Sequence, residues 1–128
     1  MKETEIKILL VDDEKGFTDV MTKRLSRRGM RVTVASGGTE AIQAMRGIDY
    51  DVALLDLKME DMSGIEVLQI FKKMLPEMPV IMLTGHGSEE AAREGMQHGA
   101  FDYLLKPCEF DKLLRKIMAA VKSTNKSQ

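Results

Sequence analysis

Five short apolar runs, each about as long as a β-strand, alternate along this chain with five segments whose apolar residues recur at helical spacing. The third run, "DVALLD" at residues 51–56, is almost continuously apolar, which is typical of a strand buried on both faces of a sheet. Strict alternation of strands and helices indicates an α/β fold in which a parallel sheet carries helices on both faces. The predicted strands are residues 7–11, 31–35, 51–56, 79–84 and 101–106, and the predicted helices are residues 16–28, 39–46, a segment between an N-cap at Ser63 and Pro76, 88–97 and 109–121.

The length of the chain and the number of strands restrict the topology. A chain of 128 residues suits one domain, and right-handed crossovers leave few strand orders for a five-stranded parallel sheet. We expect the order 2-1-3-4-5 of flavodoxin-like (βα)5 folds, which is adopted from known folds rather than worked out from the residues. Residues 1–122 are predicted to form the domain, and residues 123–128, "STNKSQ", a frayed C-terminal tail.

Charge and cysteine content argue against several classes of protein. The formal net charge is −1, so the domain as a whole has no electrostatic attraction to nucleic acid or to an anionic membrane. The single cysteine, Cys108, cannot form an internal disulfide, and no Cys/His cluster suggests zinc, so we expect a reducing, cytoplasmic location. The N-terminal residues lack the pattern of a signal peptide, and no apolar run is long enough to span a membrane.

Polar side chains stand where the predicted strands end. Asp12 and Asp13 follow the first strand, Asp56 ends the third, Thr84 ends the fourth and Lys106 ends the fifth. Each residue taken alone has an ordinary explanation as a helix cap, a turn former, a loop residue or a solvated lysine. Because the carboxyl ends of parallel strands lie along one edge of the sheet, we expect these side chains to converge on one site.

Three carboxylates at one point repel one another unless cations balance them. Lys106 supplies one positive charge, and a divalent cation would supply the rest. Oxygen ligands without cysteine or histidine favour a hard cation, and Mg²⁺ commonly binds a few carboxylates while keeping several waters. The sequence therefore predicts a Mg²⁺ site built on Asp12, Asp13 and Asp56.

Four motifs at the strand ends give the chain a family resemblance. The segments "LLVDDE", "LLDLKMEDMSG", "LTGHG" and "DYLLKP" resemble the receiver domains of bacterial two-component response regulators, and the resemblance covers about residues 7–121. The segment "TGHG" is similar in particular to receivers attached to transcriptional activators of the nitrogen-regulatory type.

The resemblance implies a role for each residue of the predicted site. Asp56 would be the phosphoacceptor nucleophile and the modified residue. Asp13 would bind Mg²⁺ directly, Asp12 would act largely through water, and Asp56 with the backbone carbonyl of Lys58 would complete the protein ligands. Lys106 would pair with the phosphoryl group as a point charge.

The resemblance also implies a conformational switch. Thr84 would hydrogen-bond the phosphoryl group after transfer, Tyr103 would change rotamer when Thr84 moves, and the Lys106–Pro107 peptide bond would be cis. The face formed by the fourth helix, fifth strand and fifth helix would change most. A phosphorylation-dependent homodimer through this face is compatible with the resemblance.

The implied function is that of a signalling switch in a phosphorelay. The phosphoryl donor would be a sensor histidine kinase or a histidine phosphotransfer protein, and the response would pass to a downstream protein or output domain. The domain would catalyse only its own phosphorylation and dephosphorylation, so we do not expect an enzyme with a separate substrate. Direct contact with nucleic acid or a membrane is not expected.

Four residues near the predicted site depart from the family pattern or occupy variable positions in it. Many receivers carry a proline where Glu60 stands, and Glu60 and Asp61 are expected either to loosen the loop that carries the Lys58 carbonyl or to alter docking. Lys58 and His86 occupy positions that flank the attacking water in this family, and we expect their side chains to shield the phosphoryl group and slow its hydrolysis.

Three other functions are open to a fold of this kind. A haloacid-dehalogenase-like phosphatase would need a second aspartate where Lys58 stands, and room for a cap segment. A flavodoxin-like binding module would need a phosphate-cradling loop in place of the carboxylates of "DDEKG". The main alternative is a pseudo-receiver that binds proteins without being phosphorylated.

Overall fold

The structure, a computed structural model, describes residues 5–85 and 87–125. The strands are β1 (Lys7–Val11), β2 (Arg31–Ala35), β3 (Val52–Asp56), β4 (Val80–Thr84) and β5 (Asp102–Leu105). The helices are α1 (Lys15–Arg27), α2 (Gly38–Ala44), α3 (Gly64–Met74), α4 (Glu89–Gln97) and α5 (Phe110–Asn125). Each predicted element is present, and most of its ends lie within one or two residues of the predicted ones.

The C-terminal helix is longer than predicted. Helix α5 continues to Asn125, whereas the sequence pattern predicted its end near Val121 and a frayed tail from residue 123. The hydroxyl groups of Ser123 and Thr124 donate to the backbone carbonyls of Ala120 and Val121, at 2.7 and 3.0 Å. These bonds accompany the extra turn, and residues 126–128 lie outside the described residues.

The five strands form one parallel sheet in the order β2-β1-β3-β4-β5, which confirms the predicted topology. Val11 pairs with Ala35 on one side, and it pairs with Leu55 on the other. Thr84 pairs with Leu105 at the same edge. All residues of β3 and β4 are buried, as the apolar runs predicted for strands covered on both faces. The register therefore aligns the carboxyl ends of the strands, where the polar residues follow.

Two hydrophobic cores lie on opposite faces of the sheet. Alternate strand residues point to opposite faces, so Leu9 and Leu55 pack with α2 and α3, while Ile8 and Leu54 pack with α1 and α5. Fully burying an aliphatic side chain of this size stabilises the fold by about 1.5–3 kcal/mol. Among the described residues, no helix has the length and the apolar character needed to cross a membrane.

Helix ends follow the local sequence. Ser63 caps α3 through a reciprocal pair of hydrogen bonds with Glu66, which confirms the predicted N-cap. Helix α1 stops before Gly29, whose φ of 82° is a left-handed conformation that glycine adopts without a steric penalty. These helix ends set where the β3–α3 loop ends and where the α1–β2 loop begins.

Candidate functional site

Three carboxylates meet at the carboxyl edge of the sheet. Asp12 and Asp13 follow β1, and Asp56 is the last residue of the adjacent strand β3. One oxygen of each side chain lies within 4.8 Å of one oxygen of each of the others. Asp12 and Asp56 are buried, and Asp13 is exposed. An all-oxygen set of this kind fits a hard divalent cation such as Mg²⁺, with room for waters on the exposed side.

The environment of Asp56 makes its carboxyl group harder to ionise when no cation is bound. Burial, reinforced by the carboxylate of Asp12, raises the pKa of Asp56 to about 6, although Lys106 and the N–H of Lys58 act in the opposite direction. The Lys58 N–H donates to Asp56 Oδ1 at 3.4 Å. A cation beside the carboxylates would favour the ionised form, which is the form that can act as a nucleophile.

Lys106 is held by two acidic side chains. Its Nζ donates to Asp12 Oδ2 at 2.9 Å and to Glu14 Oε1 at 2.6 Å, and it lies 4.4 Å from the centre of the Phe17 ring. Burial alone would lower the pKa of Lys106, but the hydrogen bonds to Glu14 and Asp12 outweigh it and raise the pKa. Lys106 therefore stays charged next to Asp56.

Glu14 is a site residue that the sequence analysis did not assign. It stands directly after the aspartate pair, so its place in the acidic run was the available signal. Glu14 lies in the turn before α1 and does not end a strand. The prediction was based on residues at strand ends and therefore did not include it. Its N–H donates to Asp12 Oδ1 at 2.9 Å, which orients the start of this turn.

Thr84 and Tyr103 lie on neighbouring strands. The Thr84 side chain is buried, and its hydroxyl donates to the carbonyl of Leu104 at 3.3 Å. Tyr103 is 47% exposed on β5. The Lys106–Pro107 peptide bond is cis, as predicted. The roles of Thr84 and Tyr103 in a switch remain predictions.

The loop between β3 and α3 makes hydrogen bonds to the site and to α2, and the expectation that Glu60 and Asp61 loosen it stays a prediction. The Glu60 N–H donates to Asp13 Oδ2 at 3.3 Å. Both carboxylate oxygens of Asp61 accept hydrogen bonds from the first turn of α2. Lys58 is exposed at the start of this loop. His86, the other residue expected to influence hydrolysis, lies outside the described residues, and the shielding effect stays a prediction.

A cavity of about 580 Å³ opens beside Asp56. Gly85 lines it, and the absence of a side chain there leaves the approach to the carboxylate open. Phe17, Met21 and Cys108 form much of its apolar wall. Burial raises the pKa of the Cys108 thiol, so this cysteine is poorly suited to act as a nucleophile. The chemistry of the site therefore rests on its carboxylates and Lys106.

Comparison with known proteins agrees with this geometry. Residues 8–118 match the family model described as the response regulator receiver domain. The chain is 35% identical over 128 residues to the transcriptional regulatory protein ZraR of Klebsiella oxytoca, covering all of this chain and 29% of that protein. It is 35% identical over 117 residues to the luminescence regulatory protein LuxO of Vibrio campbellii, covering 91% of this chain and 26% of that protein. The chain thus spans less than a third of the length of these relatives.

Solved structures give the same result. A CheY-like receiver domain protein from Methanospirillum hungatei superposes with a TM-score of 0.93 at 31% identity, covering 98% of this chain and all of that one. A receiver domain protein from Clostridium thermocellum gives a TM-score of 0.91 at 35% identity, covering 96% of this chain and 99% of that one. NtrX from Brucella abortus, in a complex with ADP, gives 0.92 at 29% identity, covering 97% of this chain and 29% of that one. The chain belongs to the receiver domain family of two-component response regulators.

Proposed function

We propose that this receiver domain is a switch that is activated when Asp56 accepts a phosphoryl group from a histidine kinase or a histidine phosphotransfer protein. The observation that carries the proposal is the meeting of the Asp12, Asp13 and Asp56 carboxylates beside Lys106. Asp13, Asp56 and the backbone carbonyl of Lys58 are the proposed direct Mg²⁺ ligands, and Asp12 would act largely through water. Bound Mg²⁺ would neutralise the negative charge that accumulates on the phosphoryl oxygens.

The proposed transfer is a single displacement at phosphorus. One carboxylate oxygen of Asp56 attacks the phosphorus atom of the donor's phosphohistidine, and a P–O bond forms as the P–N bond breaks. The leaving imidazole nitrogen keeps the electron pair of that bond and takes a proton from solvent. Asp56 gives up no proton because it reacts in its ionised form. The cavity lined by Gly85 admits the donor.

Lys106 changes partners in the proposed mechanism. In the unphosphorylated protein its Nζ is bonded to Asp12 and Glu14. The new phosphoryl group offers three charged acceptor oxygens near the same ammonium group. We expect Lys106 to release Glu14, the more exposed of its two partners, and to bind a phosphoryl oxygen.

The proposed output is a change in the face formed by α4, β5 and α5. The Thr84 hydroxyl would turn from Leu104 to the phosphoryl group, and the Tyr103 side chain would then change rotamer. Moving a two-state population from 1:99 to 99:1 requires about 5.5 kcal/mol of differential stabilisation, which a few charge-assisted hydrogen bonds can supply. The exposed apolar residues on this face include Met96, Tyr103 and Leu105.

The wider setting of the domain is also a proposal. Because ZraR is named a transcriptional regulatory protein, we propose that the signal controls transcription through an output domain or a partner protein. The domain would act on no substrate apart from its own phosphoryl group, and it would work in the cytoplasm. Contact with nucleic acid would belong to the output component.

Intact-mass measurement tests the proposal. Incubation with acetyl phosphate and Mg²⁺ should add about 80 Da, the mass of one phosphoryl group. Asp56→Asn should prevent the addition, and excess EDTA should suppress it. The control is Asp49→Asn, which changes an exposed aspartate of the loop before β3 and should gain the same mass as the wild-type protein. No mass gain in the wild-type protein would favour the pseudo-receiver alternative.

A further inference from the structure

Helix α2 receives its N-terminal cap from a distant part of the chain. It begins after Gly37, which has no side chain to accept hydrogen bonds from the first turn. Asp61, in the loop between β3 and α3, fills that role: its Oδ1 accepts from the Gly38 N–H at 3.0 Å and its Oδ2 from the Thr39 N–H at 3.1 Å. These bonds lower the pKa of Asp61, so both oxygens remain acceptors at neutral pH.

Gly37, which precedes α2, and Gly38, its first residue, leave space for the β3–α3 loop. A Cβ atom on Gly37 would lie 2.8 Å from Asp61 Oδ1, and one on Gly38 would lie 2.7 Å from the sulfur of Met62. The φ of Gly37 is −170°, an extended conformation that any residue adopts, so its backbone does not require glycine. The glycines therefore let the β3–α3 loop close onto α2.

The same loop reaches the predicted metal ligands at two points. The Glu60 N–H donates to Asp13 Oδ2 at 3.3 Å, and the Lys58 N–H donates to Asp56 Oδ1 at 3.4 Å. Proline has no N–H, so a proline at position 60 could not make the bond to Asp13. That bond depends on where the loop lies.

We propose that Asp61 is a positioning residue for the metal site: by tying the β3–α3 loop to α2, it holds the Glu60 N–H against Asp13 and the Lys58 N–H against Asp56. This inference rests on the proposed function, because it concerns the same Mg²⁺ site. Groups that orient metal ligands influence affinity although they do not touch the ion. Asp61 stands next to Glu60 in sequence, so the effect passes through one peptide unit.

A titration of the metal-free protein with MgCl2, followed by the NMR shifts of backbone amides near the site, measures this effect without any phosphoryl chemistry. Asp61→Ala should raise the Mg²⁺ dissociation constant about threefold to tenfold, less than for a group bonded directly to a ligand. Asp61→Asn keeps one acceptor oxygen and should fall between the wild-type protein and Asp61→Ala. Asp49→Ala, at the opposite edge of the sheet, should bind Mg²⁺ like the wild-type protein.

A second variant moves the carboxylate without removing it. Gly37→Ala places a methyl group against Asp61 Oδ1. Like Asp61→Ala, it should raise the Mg²⁺ dissociation constant. Urea unfolding of each variant separates positioning from simple capping of α2. If Asp61→Ala loses stability but keeps the wild-type dissociation constant, Asp61 is only a helix cap and the inference is overturned.

The outcome for the wild-type protein separates this inference from the proposed function. Mg²⁺ binding and a mass gain at Asp56 in the wild-type protein, with unchanged Mg²⁺ affinity in Asp61→Ala, would overturn the positioning role alone. A wild-type protein that neither binds Mg²⁺ nor gains mass would overturn the proposed function, and the positioning role with it.

Discussion

Replacing Asp56 with asparagine should make the metal-free protein more stable, and the gain should grow with pH. Asp56 is 7% exposed, and burial beside Asp12 raises its pKa from 3.8 to about 6. The folded state therefore binds this proton more tightly than the unfolded state. The stability contributed by the neutral carboxyl group is fully present below pH 4, and it is lost as the pH rises through about 6.

The size of the effect follows from the two pKa values. With 3.8 for the unfolded state and about 6 for the folded state, ionisation of Asp56 costs about 1.6 kcal/mol of folding stability at pH 5 and about 3 kcal/mol at pH 8. Asparagine has no such cost. The amide also changes local hydrogen bonding by an amount that does not vary with pH. The advantage of Asp56→Asn over the wild-type protein should therefore increase by about 1.4 kcal/mol between pH 5 and pH 8.

Urea unfolding in EDTA, at several pH values between 5 and 8, measures this difference. The transitions should shift in midpoint with little change in slope, because the surface exposed on unfolding is the same. Asp49→Asn is the matched control, and it should show no pH-dependent difference from the wild-type protein. Adding Mg²⁺ at neutral pH should stabilise the wild-type protein more than Asp56→Asn, since a ligand that binds only the folded state stabilises it.

A stability difference that stays constant from pH 5 to pH 8 would contradict the reasoning, because it would show that the Asp56 carboxylate has an ordinary pKa in the folded protein. An advantage of Asp56→Asn that shrinks as the pH rises would contradict it more strongly, because it would mean that Lys106 outweighs both burial and the neighbouring carboxylates.

Three further substitutions test other contacts of the site and its loop. Glu14→Gln removes a partly exposed ion pair from Lys106. At a fixed acetyl phosphate concentration, the phosphorylated fraction measured by intact mass should rise about twofold. An equal or lower fraction would contradict the proposed exchange of partners. Ser63→Ala breaks the capping box of α3 and should cost about 1 kcal/mol in urea unfolding, so an unchanged midpoint would refute that role. Gly64→Ala would place a Cβ atom 2.5 Å from the Leu57 Cα. Because a backbone atom cannot easily move aside, the free energy of unfolding should fall by more than about 2 kcal/mol. A change close to zero would show that the loop can shift.

The residues at the strand ends could be predicted from the sequence because the sheet dictates their position. Once "ILLV" and "VALLD" are taken as parallel neighbours, the aspartates that end them must lie at one edge. The same argument brings Thr84 and Lys106 to that edge from β4 and β5. Periodicity gave the strands, the strand order of known folds made them neighbours, and family resemblance suggested the chemical roles.

The contacts of Glu14 and Asp61 could not be predicted in this way. Glu14 bonds Lys106 across 92 positions of sequence, and Asp61 bonds the start of α2 across 22 and 23 positions. Both side chains belong to loops, where position depends on turn geometry rather than on a repeating pattern. Their partners are backbone N–H groups or a flexible lysine, and contacts of this kind produce no recognisable sequence pattern.

The hydrogen bond between Thr84 and Leu104 connects the site to β5, and the proposed switch would use it to reach the α4–β5–α5 face. The Thr84 hydroxyl has one proton, and in the unphosphorylated protein it is donated to the Leu104 carbonyl. If that proton is given to a phosphoryl oxygen instead, the carbonyl loses a buried partner, and β5 has to adjust. Leu104 lies between Tyr103 and Leu105, which are 47% and 43% exposed. A change at Thr84 would therefore reach two surface side chains through one hydrogen bond and one strand.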